Sequence, residues 1–169
     1  NPKFVFNLSL VAENYYLNKE YKKTKKVLKN FTKEHNFYHW YRVKKETQII
    51  EKQRNKKESL NYITSEFKKI NNPNKKILFD MANFYKNSEV YDQSINFYSK
   101  IIETMENDPQ LKSDLLYRRG GSHERNGDYV KADKDLLEAL KINPDDAYVL
   151  NYLAYSWLER DHKIDEAIK

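Results

Sequence analysis

A repeated pattern constrains this chain more than any other feature of its sequence. Four segments place an aromatic or aliphatic residue three positions before a small one: Tyr21–Thr24, Tyr91–Ser94, Tyr129–Ala132 and Ile164–Ala167. Each follows an amphipathic stretch of about four turns at helical spacing. After the first three comes a second apolar-spaced stretch, carried by Leu28 and Phe31, by Tyr98 and Ile101, and by Leu136 and Ala139. One helical hairpin cannot bury its apolar face alone, so self-similarity on this scale means hairpins stacked in an array. Pro73, Pro109 and Pro144 each stand shortly before a new apolar helix, where a residue with no N–H ends the helix before it.

Composition removes most other folds. The chain has 169 residues and 20.4 kDa, enough to bury a sizeable core. Only 3 Gly and 4 Pro occur, too few for a sandwich or barrel that turns every ten residues. Charged residues reach 33% and mean hydropathy is −0.98, but 14 Tyr argue for a folded chain rather than a disordered one. The absence of Cys excludes disulfides, Cys-ligated zinc, iron–sulfur clusters and thiol nucleophiles. No run approaches the ~18 apolar residues of a membrane span. The richest window, Tyr148 to Leu158, is broken by Asn151 and Ser156.

The best copy of the repeat runs from Ser113 to Asp146, with Leu116, Gly120, Gly127-Asp128-Tyr129, Ala132, Leu136, Ala139 and Asn143-Pro144. Leu8, Ala12, Tyr15, Tyr21, Thr24 and Leu28 repeat these offsets from Val5, and Leu78, Ala82, Tyr85, Tyr91, Ser94 and Tyr98 do so from Lys75. These residues resemble the tetratricopeptide repeat, a helix–turn–helix unit of about 34 residues. Units are expected at 5–38, 39–74, 75–112, 113–146 and 147–169, the second degenerate and the last cut short, within one array spanning 1–169. In the second unit helices are expected near 37–54 and 56–70. The resemblance implies an all-α, right-handed superhelical solenoid. Gly120 and Ala132 would let two helices approach closely, and Tyr129 would plug the turn between them.

The resemblance also implies a function: a non-catalytic scaffold that binds a peptide or protein segment in its concave groove. The second, fifth, sixth, ninth, twelfth and thirteenth positions of a unit point into that groove in this family. Carried onto this chain they give Lys76, Phe79, Asp80 and Asn83, then Tyr117, Arg118, Glu124 and Arg125, then Tyr148, Asn151, Tyr152 and Tyr155. Tyr, Asn and Arg suit peptide recognition, supplying rigid amphipathic area, amide bonds and carboxylate forks. Some members clamp a C-terminal carboxylate, but here Asp114 stands where that clamp needs Lys, so a chaperone-tail receptor is not expected. The wording from Leu150 to Leu158 and the longer turn after it resemble bacterial exported repeat proteins, which would imply a bacterial, periplasmic setting.

Residues 1–85 carry 19 Lys and Arg against 8 Asp and Glu, a net +11, whereas residues 86–169 carry 12 against 17, a net −5. Lys22, Lys26, Lys29 and Lys33 form one helical stripe beside Lys19, Lys23 and Lys25. A basic half of this kind admits a rival reading, binding of nucleic acid or an anionic surface, although backbone binding needs a basic track rather than one stripe. With 25 Lys to 6 Arg and 18 Asn, coding bias explains the charge equally well. A third reading is a regulatory repeat region of a larger enzyme.

No catalytic constellation is visible, and no cofactor or metal is expected. His35 and His39 are four apart but not in HExxH order, and read as solvent-exposed turn residues. His123 reads as helix–helix packing, and Asp145-Asp146 as a helix cap. Arg119 stands where most units have Leu and is expected to pair with Asp135 across its hairpin. The chain begins at Asn1 and stops at Lys169 inside a repeat, which reads as a fragment of a longer protein. The cut end is expected either to pair with a second copy or to fray.

Overall fold

The structure is a computed structural model that describes residues 2–32 and 36–161. The expected Ile164–Ala167 helix, Lys33, His35 and His162 lie outside the described residues. Among those described there are nine helices and no strand. They are α1 (Pro2–Leu17), α2 (Tyr21–Leu28), α3 (Asn36–Gln53), α4 (Lys56–Phe67), α5 (Lys75–Asn87), α6 (Tyr91–Thr104), α7 (Pro109–Arg125), α8 (Tyr129–Ile142) and α9 (Ala147–Glu159). The fold is all-α, built of helical hairpins. It divides into two compact units, Asn1–Asn74 and Lys75–Lys169.

In the first unit α1 packs on α2, and α3 on α4. Ala12, Leu28, Phe31 and Ile49 are buried together, with Val5, Leu8, Tyr16 and Tyr41 packed around them. In the second unit each helix from α5 to α9 packs on the next. Leu116, Leu136, Ala139, Val149, Leu153 and Trp157 form one buried cluster there, and Ile77, Met81, Tyr98 and Ile101 are buried nearer its start in the chain. The small residues of the repeat, Thr24, Ser94 and Ala132, are all completely buried. With no free space around them, a larger side chain at any of the three would have to displace packed neighbours.

The hairpin turns share one backbone solution. Lys19 (φ 61°), Glu89 (φ 63°), Gly127 (φ 80°) and Asp161 (φ 49°) are all left-handed, and all occupy the same position of their repeats. In three of them the residue after the turn donates back to the last helical turn. Glu20 N–H bonds Tyr15 C=O at 2.8 Å, Val90 bonds Tyr85 at 2.9 Å, and Asp128 bonds His123 at 2.9 Å. This closure satisfies carbonyls that a helix end otherwise leaves open. The second repeat departs from it: α3 runs on to Gln53, and the Asn55 side chain caps α4 by accepting from Glu58 N–H at 2.8 Å.

Two local readings are corrected. His39 is not an exposed turn residue; it lies on α3 and is 5% exposed, with Nε2 3.8 Å from Glu66. Tyr129 does not plug its turn; it is 44% exposed, and the Arg160 guanidinium covers its ring at 4.7 Å. A third difference concerns length. α7 starts at Pro109, four residues ahead of the repeat boundary, with the Asp108 carboxylate accepting from Leu111 N–H at 2.9 Å.

Candidate functional site

Side chains one or two turns apart on α5, α7 and α9 form one face of the second unit. On α5, Phe79, Asn83 and Lys86 fall at helical spacing. On α7, Asp114, Tyr117, Arg118, Gly121, Glu124 and Arg125 do the same, and on α9 so do Tyr148, Asn151, Tyr152 and Tyr155.

Half of the sequence-selected residues interlock. The Arg118 guanidinium donates from Nε to Asp114 at 2.8 Å and from Nη1 to the Asn83 side-chain oxygen at 3.4 Å. It also lies 5.1 Å from the Phe79 ring centroid. The hydrogen bond it donates to Asp114 holds Arg118 even more firmly protonated than usual. Asn83 accepts a second bond from the buried Tyr98 hydroxyl at 2.7 Å, and burial pushes that phenol up to about 12. Across the next pair of helices, Tyr117 and Tyr152 meet edge to face at 5.8 Å. The Tyr152 hydroxyl donates to Glu124 at 3.0 Å; burial, then Glu124, raises it to about 12.

The remaining selected residues stand out from the face. Tyr148 is 80% exposed and Tyr155 62%, and Lys76, Asn151 and Arg125 are exposed as well. A hollow of about 200 Å³ opens beside them, lined by Glu124, Arg125, Tyr152, Tyr155, Ser156 and Glu159. Asp80 is half-buried on α5.

Sequence reasoning passed over Lys86. It occupies the twelfth position of its repeat, the place that yielded Glu124 one repeat later, so the same positional rule identifies it. Its ammonium is half-buried and lies 3.3 Å from where a Cβ on Gly121 would be, and the Tyr152 hydroxyl lies 3.4 Å from that point. Burial lowers its basicity, and the neighbouring Arg118 and Arg125 add to that effect.

Elsewhere the expectations for charged residues meet simple packing. Lys22 and Lys26 are exposed on α2 and Lys29 is exposed at its C-terminal cap, Lys23 pairs with Glu20, and Lys25 donates to Gln53 at 3.5 Å. Among the described residues no group of three His, Cys, Asp or Glu is placed to hold a metal ion. No helix among the described residues is long and apolar enough to cross a membrane.

Comparison with known proteins accounts for this architecture. Residues 113–146 match the family model described as Tetratricopeptide repeat. A tetratricopeptide repeat protein from Parabacteroides merdae superposes with a TM-score of 0.68 at 21% identity, over 96% of this chain and 62% of that one. MamA from Desulfovibrio magneticus RS-1 gives 0.69 at 9% identity, over 96% of this chain and 89% of that one. The MamA MSR-1 structure gives 0.64 at 14%, over 96% and 90%. No curated protein matches the chain in sequence. The chain has the fold of these tetratricopeptide repeat structures, and residues 113–146 are the repeat that matches the family model.

Proposed function

We propose that the chain is a non-catalytic interaction scaffold and that the α5/α7/α9 face receives an extended peptide or protein segment. Repeat arrays of this fold offer long continuous surfaces built from one helix of each hairpin. The observation that carries the reading is the contact chain across three helices, α5, α7 and α9: Phe79 and Asn83 to Arg118, then Tyr117 to Tyr152. Interlocked side chains are held in place before a partner arrives, which lowers the entropy lost on binding. Beside them Tyr148, Asn151 and Tyr155 present hydrogen-bonding and aromatic area to solvent. Exposed aromatic anchors beside a rigid floor are what peptide recognition needs.

A displayed library of random peptides, followed by mapping of backbone amide shifts, tests this. Selected peptides should perturb amides of α5, α7 and α9. The double change Asn151→Ala with Tyr155→Ala should abolish capture and leave helicity unchanged, since neither side chain supports the fold. Selected peptides that perturb only other helices would overturn the assignment. Oligonucleotide affinity should be weak and collapse between ~50 and ~200 mM salt. Tight, salt-resistant binding would favour the basic first half instead.

A further inference from the structure

Among the half-buried charged groups of the α5/α7/α9 face, all but one have a partner. Asp114 takes Arg118, and Glu124 takes the Tyr152 hydroxyl and stands 3.6 Å from Arg125. Arg118 is further engaged by Asn83 and Phe79. The charged groups that face Lys86 from α7 are these same four, two guanidiniums and two carboxylates that balance each other. Lys86 itself has no hydrogen-bond or ion-pair partner for its ammonium among the described residues. It is half-buried against Gly121, its ammonium 3.3 Å from where a Cβ there would lie.

We infer that Lys86 is the anion-recognition point of this face, taking the side-chain carboxylate of an Asp or Glu within the bound segment. The inference rests on the peptide-binding reading above and adds the chemistry that the segment must carry. A half-buried ammonium without a counter-ion is costly, and an incoming carboxylate offsets that cost with a charge-assisted hydrogen bond. Arg125, with its side chain 65% exposed, adds a second positive charge at the rim. A terminal carboxylate fits less well, because the guanidinium that would fork it, Arg118, is already held by Asp114 and Asn83.

Two measurements test this. In the first, the Cε signals of all lysines are followed while N-acetyl-glutamate amide is added, with N-acetyl-glutamine amide as control. Lys86 should shift saturably with the carboxylate only, and further than the exposed Lys22 and Lys26. An equal or smaller shift overturns the site. In the second, peptides with amidated C-termini are selected from a library on the native chain and on Lys86→Met and Lys86→Arg. Native-selected peptides should share one acidic position. Lys86→Met should weaken them about tenfold or more, the loss of one charged hydrogen bond, while Lys86→Arg retains most of the affinity. Groove binders without an acidic position overturn this inference and leave the scaffold reading intact. Peptides that bind another face overturn the scaffold reading, while the titration of Lys86 still decides the anion site.

Discussion

Arg119 and Asp135 close on each other through two hydrogen bonds of 2.7 Å, Nε to Oδ2 and Nη2 to Oδ1, joining α7 to α8. The Asp135 side chain is 7% exposed and that of Arg119 19%. Arg119 reaches a second partner, donating to the Ser99 hydroxyl of α6 at 3.0 Å. A charge in the seam of a hairpin is tolerated because every donor facing the interior has an acceptor.

Asp135→Ala should therefore destabilise the second unit by about 3 kcal/mol, since it strands a shielded guanidinium. Arg119→Leu combined with Asp135→Ala should recover much of that loss, because the apolar pair leaves no buried charge. Urea denaturation of the native chain, both single variants and the double variant measures the coupling. Additive losses would mean that the pair does not act as a unit.

His123 carries a pH dependence. It is 8% exposed, and burial lowers its affinity for a proton, partly countered by Asp135 at 4.0 Å. The unfolded chain, with an ordinary imidazole near 6.5, then takes up the proton first. Stability from the neutral His123 is complete above that pH and is lost as pH falls through it toward the lower folded value. Denaturation from pH 7.5 to 5.5 should show the native chain losing stability relative to His123→Gln. A constant difference would contradict this sign.

The left-handed turns predict unlike responses at equivalent positions. Glu89 pays for a φ of 63° that Gly127 adopts freely at 80°. Glu89→Gly should stabilise by about 0.5–1 kcal/mol, whereas Gly127→Ala should cost about 1 kcal/mol, although its Cβ would meet nothing within 4 Å. Thermal denaturation of the two variants checks both signs.

Adjacent glycines on α7 should also differ. A Cβ at Gly120 would lie 3.1 Å from Leu136 Cγ and 3.3 Å from the Ala132 carbonyl, both in the packed seam. At Gly121 the nearest atoms are the ends of Lys86 and Tyr152, which can move. Gly120→Ala should destabilise by about 1–3 kcal/mol through overpacking. Gly121→Ala should be neutral or stabilising, because helix propensity gains close to 1 kcal/mol. Equal effects would show that the seam relaxes.

The helical hairpins were legible because small and apolar residues recur at fixed offsets, and burial of Thr24, Ser94 and Ala132 is what those offsets encode. The Arg119–Asp135 pair was legible too, since a charge at an apolar position demands a partner at one place across the hairpin. His39 was misread although the helix expected near 37–54 includes it: that this position turns inward, toward Glu66 of α4, is set by tertiary packing and has no local marker in a degenerate repeat. Two of the left-handed hairpin turn positions are Lys19 and Glu89, residues whose identity does not announce that conformation. Their geometry is imposed by the helices on either side. At the candidate site, position within the repeat selects which residues share a face, but says nothing of which charges satisfy each other. Lys86 became conspicuous only once Arg118 and Glu124 were seen to be occupied.

The early start of α7 shows where this array absorbs insertions. Its four additional residues, from Pro109 to Lys112, became another helical turn outside the hairpin instead of a loop within it. Asp108 and Pro109 start that turn, and the Gly127 closure downstream keeps the geometry of its counterparts. Repeat lengths can then drift at the junctions between hairpins without altering the hairpins themselves. A chain organised this way can gain or lose a turn's worth of residues at a junction while each hairpin keeps its own internal alignment.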